Sequence, residues 1–145
     1  MVDVKTEIII NRPLAKVAQY AANPDNAPTW YVNIKSAVWK TEKPLRIGSQ
    51  IDFKAKFLGK EMSYTYEIME YVPENKLVMG TAEGPFPMET TYTWSKISDD
   101  QTRMTLRNTG QPSGFSKLFA PIMATMMRKA NNKDLKMIKK ILESQ

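Results

Sequence analysis

A chain of 145 residues, 42% hydrophobic and 25% charged, is long enough to bury one substantial core, and no apolar run approaches the ~20 residues of a membrane span. It contains no cysteine and no histidine, which excludes disulfides, thiolate nucleophiles, the commonest metal ligand and the usual general base at neutral pH. The net charge of +6 is concentrated late in the chain, where Lys117, Arg128, Lys129, Lys133, Lys136, Lys139 and Lys140 oppose only Asp134 and Glu143.

The N-terminal stretch VDVKTEIIIN alternates Val2, Val4, Thr6, Ile8 and Ile10 against Asp3, Lys5 and Glu7, the period of a strand with one buried face. It lacks the basic region and continuous apolar run of a signal peptide, so a cytoplasmic location is expected. Asn11 is placed to cap a helix and Pro13 suits a first turn, with Leu14, Val17, Ala18 and Ala21 as the apolar stripe. Pro24 and Pro28 then set off a second short helical piece ending near Trp30.

From Lys35 to Asn108 the sequence predicts six strands separated by turn signals, short enough to favour hairpins and an antiparallel meander. Charged positions sort each strand by face. Asp52, Lys54 and Lys56 turn Ile51, Phe53, Ala55 and Phe57 inward; Ser63, Thr65 and Glu67 do the same for Met62, Tyr64, Tyr66 and Ile68. Met88, Thr90, Tyr92 and Trp94 follow on the next hairpin arm, then Met104, Leu106 and Asn108; in LVMGT, apolar on both faces, Leu77, Met79 and Thr81 are assigned inward. Alternate turns of a meander share one end of the sheet, which groups 58–60, 84–87 and 110–114 with the arriving segment 30–33. The glycines, prolines and phenylalanines there, Phe115 included, suit an entrance, or plain turn chemistry.

The last segment has helical periodicity, with a short turn from Ser116, a break at Pro121 and a long helix to about Glu143. Phe119, Ile122, Met126, Ala130, Met137 and Ile141 form its stripe, widened by Met123, Met127 and Ile138. Its lysines make a solvated face or a weak contact with an anionic membrane. Nucleic-acid binding is not expected, because the aromatics lie on alternating strand positions rather than among the basic residues.

A seven-stranded sheet with one apolar face must curl around the single long helix available to cover it, and such a grip tends to leave a space between them. In EIIINRPLAKVAQYAANPDNAPTW, IGSQIDFKAKFLGK, YEIMEYVPENKLV and DLKMIKKILES the chain resembles the START-like (SRPBCC) superfamily, most closely its polyketide cyclase/dehydrase branch. The resemblance spans the whole chain and implies one START-like ligand-binding domain over 1–145. The fold it implies is an α+β helix-grip: a curved seven-stranded antiparallel sheet around a long C-terminal helix, with two short helices after strand one. Members of the superfamily bind lipids, sterols or polyketide-like compounds, and a few are cyclases.

Buried hydroxyl and amide groups need partners, so Tyr64, Tyr66, Tyr92, Thr90 and Asn108 on one inward face favour a pocket over a dry core. The expected ligand-binding set is Phe53, Phe57, Tyr64, Tyr66, Met79, Met88, Thr90, Tyr92, Trp94, Met104, Leu106, Asn108, Phe115, Phe119, Ile122, Met123, Met126 and Ala130. Ordinary core packing is the alternative for each apolar member. The expected function is to bind or carry a hydrophobic small molecule, without cofactor or metal. The alternative is a cyclase or dehydratase using Glu70 or Asp134 with Tyr64 or Tyr66, although each carboxylate is expected to face solvent or pair with a cation. Met126 and Met123 are expected on the pocket side of the helix, with Met127 at its margin.

Overall fold

The computed structural model describes residues 2–57, 59–111 and 120–145, the side chains of Phe57 and Ala120 excepted. Strand β1 (Val2–Ile10) buries Val2, Val4, Thr6 and Ile10 and exposes Asp3, Lys5 and Glu7, as its alternation requires. Helix α1 (Leu14–Ala22) buries Val17, Ala18, Ala21 and Ala22. Its N-cap is Pro13, whose extended backbone ends the preceding segment, so Asn11 stands too far out to cap it. The Asn11 amide instead donates to Glu143 Oε2 at 2.8 Å, tying this corner to the C-terminal helix. A 3₁₀ turn (Pro24–Asn26) and the short helix α2 (Ala27–Trp30) follow, and Trp30 is fully buried.

The six further strands are β2 (Ile34–Trp39), β3 (Gln50–Phe57), β4 (Lys60–Val72), β5 (Lys76–Glu83), β6 (Met88–Ser98) and β7 (Gln101–Gly110). They form one sheet in the order β1-β7-β6-β5-β4-β3-β2, every neighbouring pair antiparallel. The expected inward sets hold: Ile51, Phe53, Ala55, Tyr66, Ile68, Leu77, Met79, Thr90, Tyr92, Trp94, Met104 and Leu106 are all buried. The tight β3–β4 turn passes through Gly59 at φ +78°, a conformation open to glycine and costly for most other residues.

One irregularity changes a face. In β4, Ile68 pairs with Met79 but Glu70 pairs with Val78, so Met69 is the extra residue of a bulge. The bulge resets the alternation. Tyr71 takes the inward position against the core, and Glu70 faces outward, as expected of this carboxylate.

Helix α3 (Ala120–Glu143) crosses the concave face and packs on β1, α2 and α1. Its C-terminal half sends Leu135, Ile138 and Leu142 into the main core with Trp94, Met104 and Leu106. Its N-terminal half meets Val2 and Val4 through Met123 in a second, smaller cluster. The turn expected from Ser116 lies outside the described residues. No helix among the described residues is long and apolar enough to cross a membrane. The architecture is α+β, a curled seven-stranded sheet gripping a C-terminal helix.

Candidate functional site

Between the two core clusters the sheet and helix leave a cavity of about 150 Å³. Strands β3 and β4 line it with Phe53, Ala55, Met62, Tyr64 and Tyr66; β5 to β7 add Leu77, Met79, Met88, Thr90, Tyr92 and Asn108. Helix α3 contributes Met123, Met127, Ala130, Asn131 and Asp134, while Ala21, Ala22, Tyr31, Asn33 and Ile34 close the side beneath α1 and α2. Phe86 and Gly110, from turns predicted to share one end of the sheet, also border it.

The wall is mostly apolar, and four of its polar side chains form a connected chain of hydrogen bonds. Tyr66 Oη lies 2.9 Å from Thr90 Oγ1, Thr90 Oγ1 donates to Asn108 Oδ1 at 2.6 Å, and Asn108 Nδ2 donates to Asn131 Oδ1 at 3.1 Å. Because the Thr90 proton is spent on Asn108, Tyr66 must be the donor to Thr90. The chain of bonds therefore runs in one direction and ends at Asn131, which is 3% exposed and whose Nδ2 has no partner among the described residues. Beside it, the hydroxyls of Tyr31 and Tyr92 are 2.5 Å apart.

Asp134 lies one turn beyond Asn131 and is 3% exposed. Its Oδ1 accepts the Val32 amide hydrogen at 2.9 Å, the one direct bond among the described residues that offsets its burial. Burial raises its pKa to about 7, the Val32 bond pulling weakly the other way. The tyrosines respond to the same dry surroundings: burial pushes Tyr66 to about 12 and raises Tyr31, Tyr64 and Tyr92 as well, with the Asp134 charge adding to the shift of those last three. Their hydroxyls thus stay protonated and available as donors. No lysine or arginine lines the cavity among the described residues.

The predicted residues separate into four groups. Phe53, Tyr64, Tyr66, Met79, Met88, Thr90, Tyr92, Asn108, Met123 and Ala130 border the cavity. Trp94, Met104 and Leu106 do not; they are 3%, 0% and 0% exposed in the filled core, because alternation sets a residue's face but not its depth along the strand. Ile122 and Met126 are 55% and 42% exposed, and Met127 takes the wall position expected of Met126. The α3 face is rotated because its inward stripe contains Asn131, a polar residue outside the apolar periodicity, and Asp134, which falls within that stripe although its carboxylate is expected to face solvent or pair with a cation. The side chains of Phe57, Phe115 and Phe119 lie outside the described residues.

Of the carboxylates, Glu70 is solvent-exposed and 3.4 Å from Lys76, whereas Asp134 is neither solvent-facing nor paired with a cation. Sequence reasoning also missed Asn131 and Tyr31. Asn131 carried a signal, since it stands three residues before Asp134 and so shares its helix face. Tyr31 carried none, because a residue in the exit from a short helix has no period to follow.

A curled sheet closed by a helix over a polar-ended apolar cavity defines a helix-grip, START-like protein. The chain belongs to the family described as polyketide cyclase/dehydrase and lipid transport, whose model matches residues 1–143. That membership supports hydrophobic-ligand binding or a cyclase-type role. Among solved structures, a protein from Thermus thermophilus is 19% identical with a TM-score of 0.83, the match covering 98% of this chain and 97% of that one. The Zhui aromatase/cyclase from a Streptomyces species is 11% identical with a TM-score of 0.82, covering 97% and 93%. A START superfamily protein from Mycobacterium smegmatis is also 11% identical at 0.82, covering 98% and 97%. At these identities the likeness is one of fold. No curated protein matches the sequence.

Proposed function

We propose that residues 1–145 act as one domain that binds and carries a hydrophobic small molecule in the cytoplasm, held between the sheet and α3. The observation that carries this reading is the apolar cavity whose internal hydrogen-bond chain ends on the unpartnered Asn131 amide. Buried donors are costly to leave unmet, and a ligand with a polar end meets this one. A dry 150 Å³ cavity is known elsewhere to hold benzene, so a volume of about 150 Å³ favours a one- or two-ring or similarly short polyketide-like compound over a whole sterol. A longer lipid would extend past Phe86 and Gly110.

Substituting Ala130→Phe tests the reading by filling the cavity from α3. Native mass spectrometry of protein recovered from its host should show a bound hydrophobic compound in the wild type and none in the variant, with circular dichroism unchanged. Empty wild-type protein, and equal uptake of small apolar compounds by both proteins, would overturn it.

Asp134 favours a second reading. A carboxyl with a pKa of about 7 lining one cavity with Tyr31, Tyr64 and Tyr92 is suited to move a proton while the phenols polarise a carbonyl, as a cyclase or dehydratase requires. A substrate and its product recovered together, with conversion abolished in Asp134→Asn, would select it over the carrier.

The outward face of α3 supports an anionic-membrane contact. Arg128, Lys129, Lys133, Lys136 and Lys140 are exposed there without an ion-pair partner among the described residues, beside exposed Ile122, Met126 and Met137.

A further inference from the structure

The polar end of the cavity has a definite sense of donors and acceptors, and a definite charge. The bond chain Tyr66 to Thr90 to Asn108 to Asn131 leaves the buried Asn131 Nδ2 without a partner among the described residues, so a ligand that reaches it must offer an acceptor. Asp134, one turn along α3, bonds to Val32 through Oδ1, and its other oxygen accepts from no described residue. Next to an acceptor, therefore, the ligand must also offer a donor.

Charge narrows the choice. The titratable groups that line the cavity with Asp134 and feel its charge are Tyr31 on the exit from α2, Tyr64 on β4 and Tyr92 on β6, none of them cationic. An anionic ligand would be desolvated beside a buried carboxylate with no counter-ion among the described residues lining the site. The rest of the wall favours flat rings. Phe53 and Tyr64 have centroids 5.6 Å apart and Tyr64 and Tyr66 4.9 Å apart, a bank of aromatic faces and edges on one side of the space.

We infer that the cavity selects small aromatic ligands whose polar end is neutral and combines a donor with an acceptor, a phenol above all, and rejects carboxylates of the same ring size. This rests on the ligand-binding reading, and the test separates the two. Naphthalene, 2-naphthol and 2-naphthoate are titrated calorimetrically into the wild type and Asp134→Asn at about pH 8, where a carboxyl of pKa about 7 is ionised. The Asn variant keeps an oxygen for the Val32 amide.

In the wild type, 2-naphthol should bind about tenfold tighter than naphthalene by its added hydrogen bonds, with 2-naphthoate weakest by at least another factor of about ten. In Asp134→Asn, 2-naphthoate should gain at least about tenfold relative to 2-naphthol, because the repelling charge is gone. Binding of 2-naphthoate to the wild type as tight as that of 2-naphthol, or an unchanged ratio in the variant, would overturn the inference and leave ligand binding intact. If naphthalene binds and 2-naphthol gains nothing over it, the inference also falls. If none of the three binds, the ligand-binding reading fails and takes the inference with it.

Discussion

Replacing Asp134 by asparagine should stabilise the protein, and by an amount that grows with pH. In the unfolded chain this carboxyl titrates near its ordinary value of 3.8; in the fold, burial moves it to about 7. A folded pKa above the unfolded one means that the native state holds the proton more tightly. Wild-type stability from this group is therefore complete below the unfolded pKa, is lost as pH rises between the two values, and levels off above the folded one. A shift of roughly three units corresponds to about 4 kcal/mol at about pH 8, falling to about 2 kcal/mol at about pH 5.

Asparagine keeps the acceptor for Val32 and carries no charge, so it should recover most of that difference. Urea denaturation of both proteins across this range measures it directly. A stability difference independent of pH, or one that widens toward acid, would refute the argument that Asp134 is an uncompensated buried carboxylate.

Two further outcomes are expected. Thr90→Val keeps the side chain's shape but deprives Tyr66 of its acceptor and Asn108 of its donor, and should cost about 2 to 4 kcal/mol in chemical denaturation, with Thr90→Ser restoring most of it. A loss below about 0.5 kcal/mol would show that cavity water replaces the hydroxyl. On the outer face of α3, reversing charge at Lys136 and Lys140 together should weaken sedimentation with anionic vesicles by about tenfold or more, and raising the salt should weaken wild-type binding likewise. Vesicle binding indifferent to both changes would remove the membrane contact.

The sheet was legible because its signal is local. Charged Asp52, Lys54 and Lys56 leave Ile51, Phe53 and Ala55 a single face to occupy, and the structure buries all three. Simple alternation does not carry through β4, because the Met69 bulge shifts the register there, while Glu70 faces solvent beside Lys76 as expected of its charge. On α3 sequence reasoning failed by rotation: a periodicity built on apolar residues leaves out Asn131, and the cost of burying a charge argues against Asp134, yet both face inward because Asn108 and Val32 meet them there. Those partners are 23 and 102 residues away along the chain.

By itself, then, the sequence determined the order of elements, the face of nearly every strand residue and the need for a curled sheet around one helix. Those follow from the two-residue period of a strand and from the requirement to cover an apolar face. Only the tertiary structure decided which inward residues border open space and which, like Trp94, Met104 and Leu106, fill the core. It also decided the state of Asp134. The cost of ionising a carboxylate depends on the water it loses and the donors it gains, and both are set by α2, the sheet and α3 arriving together.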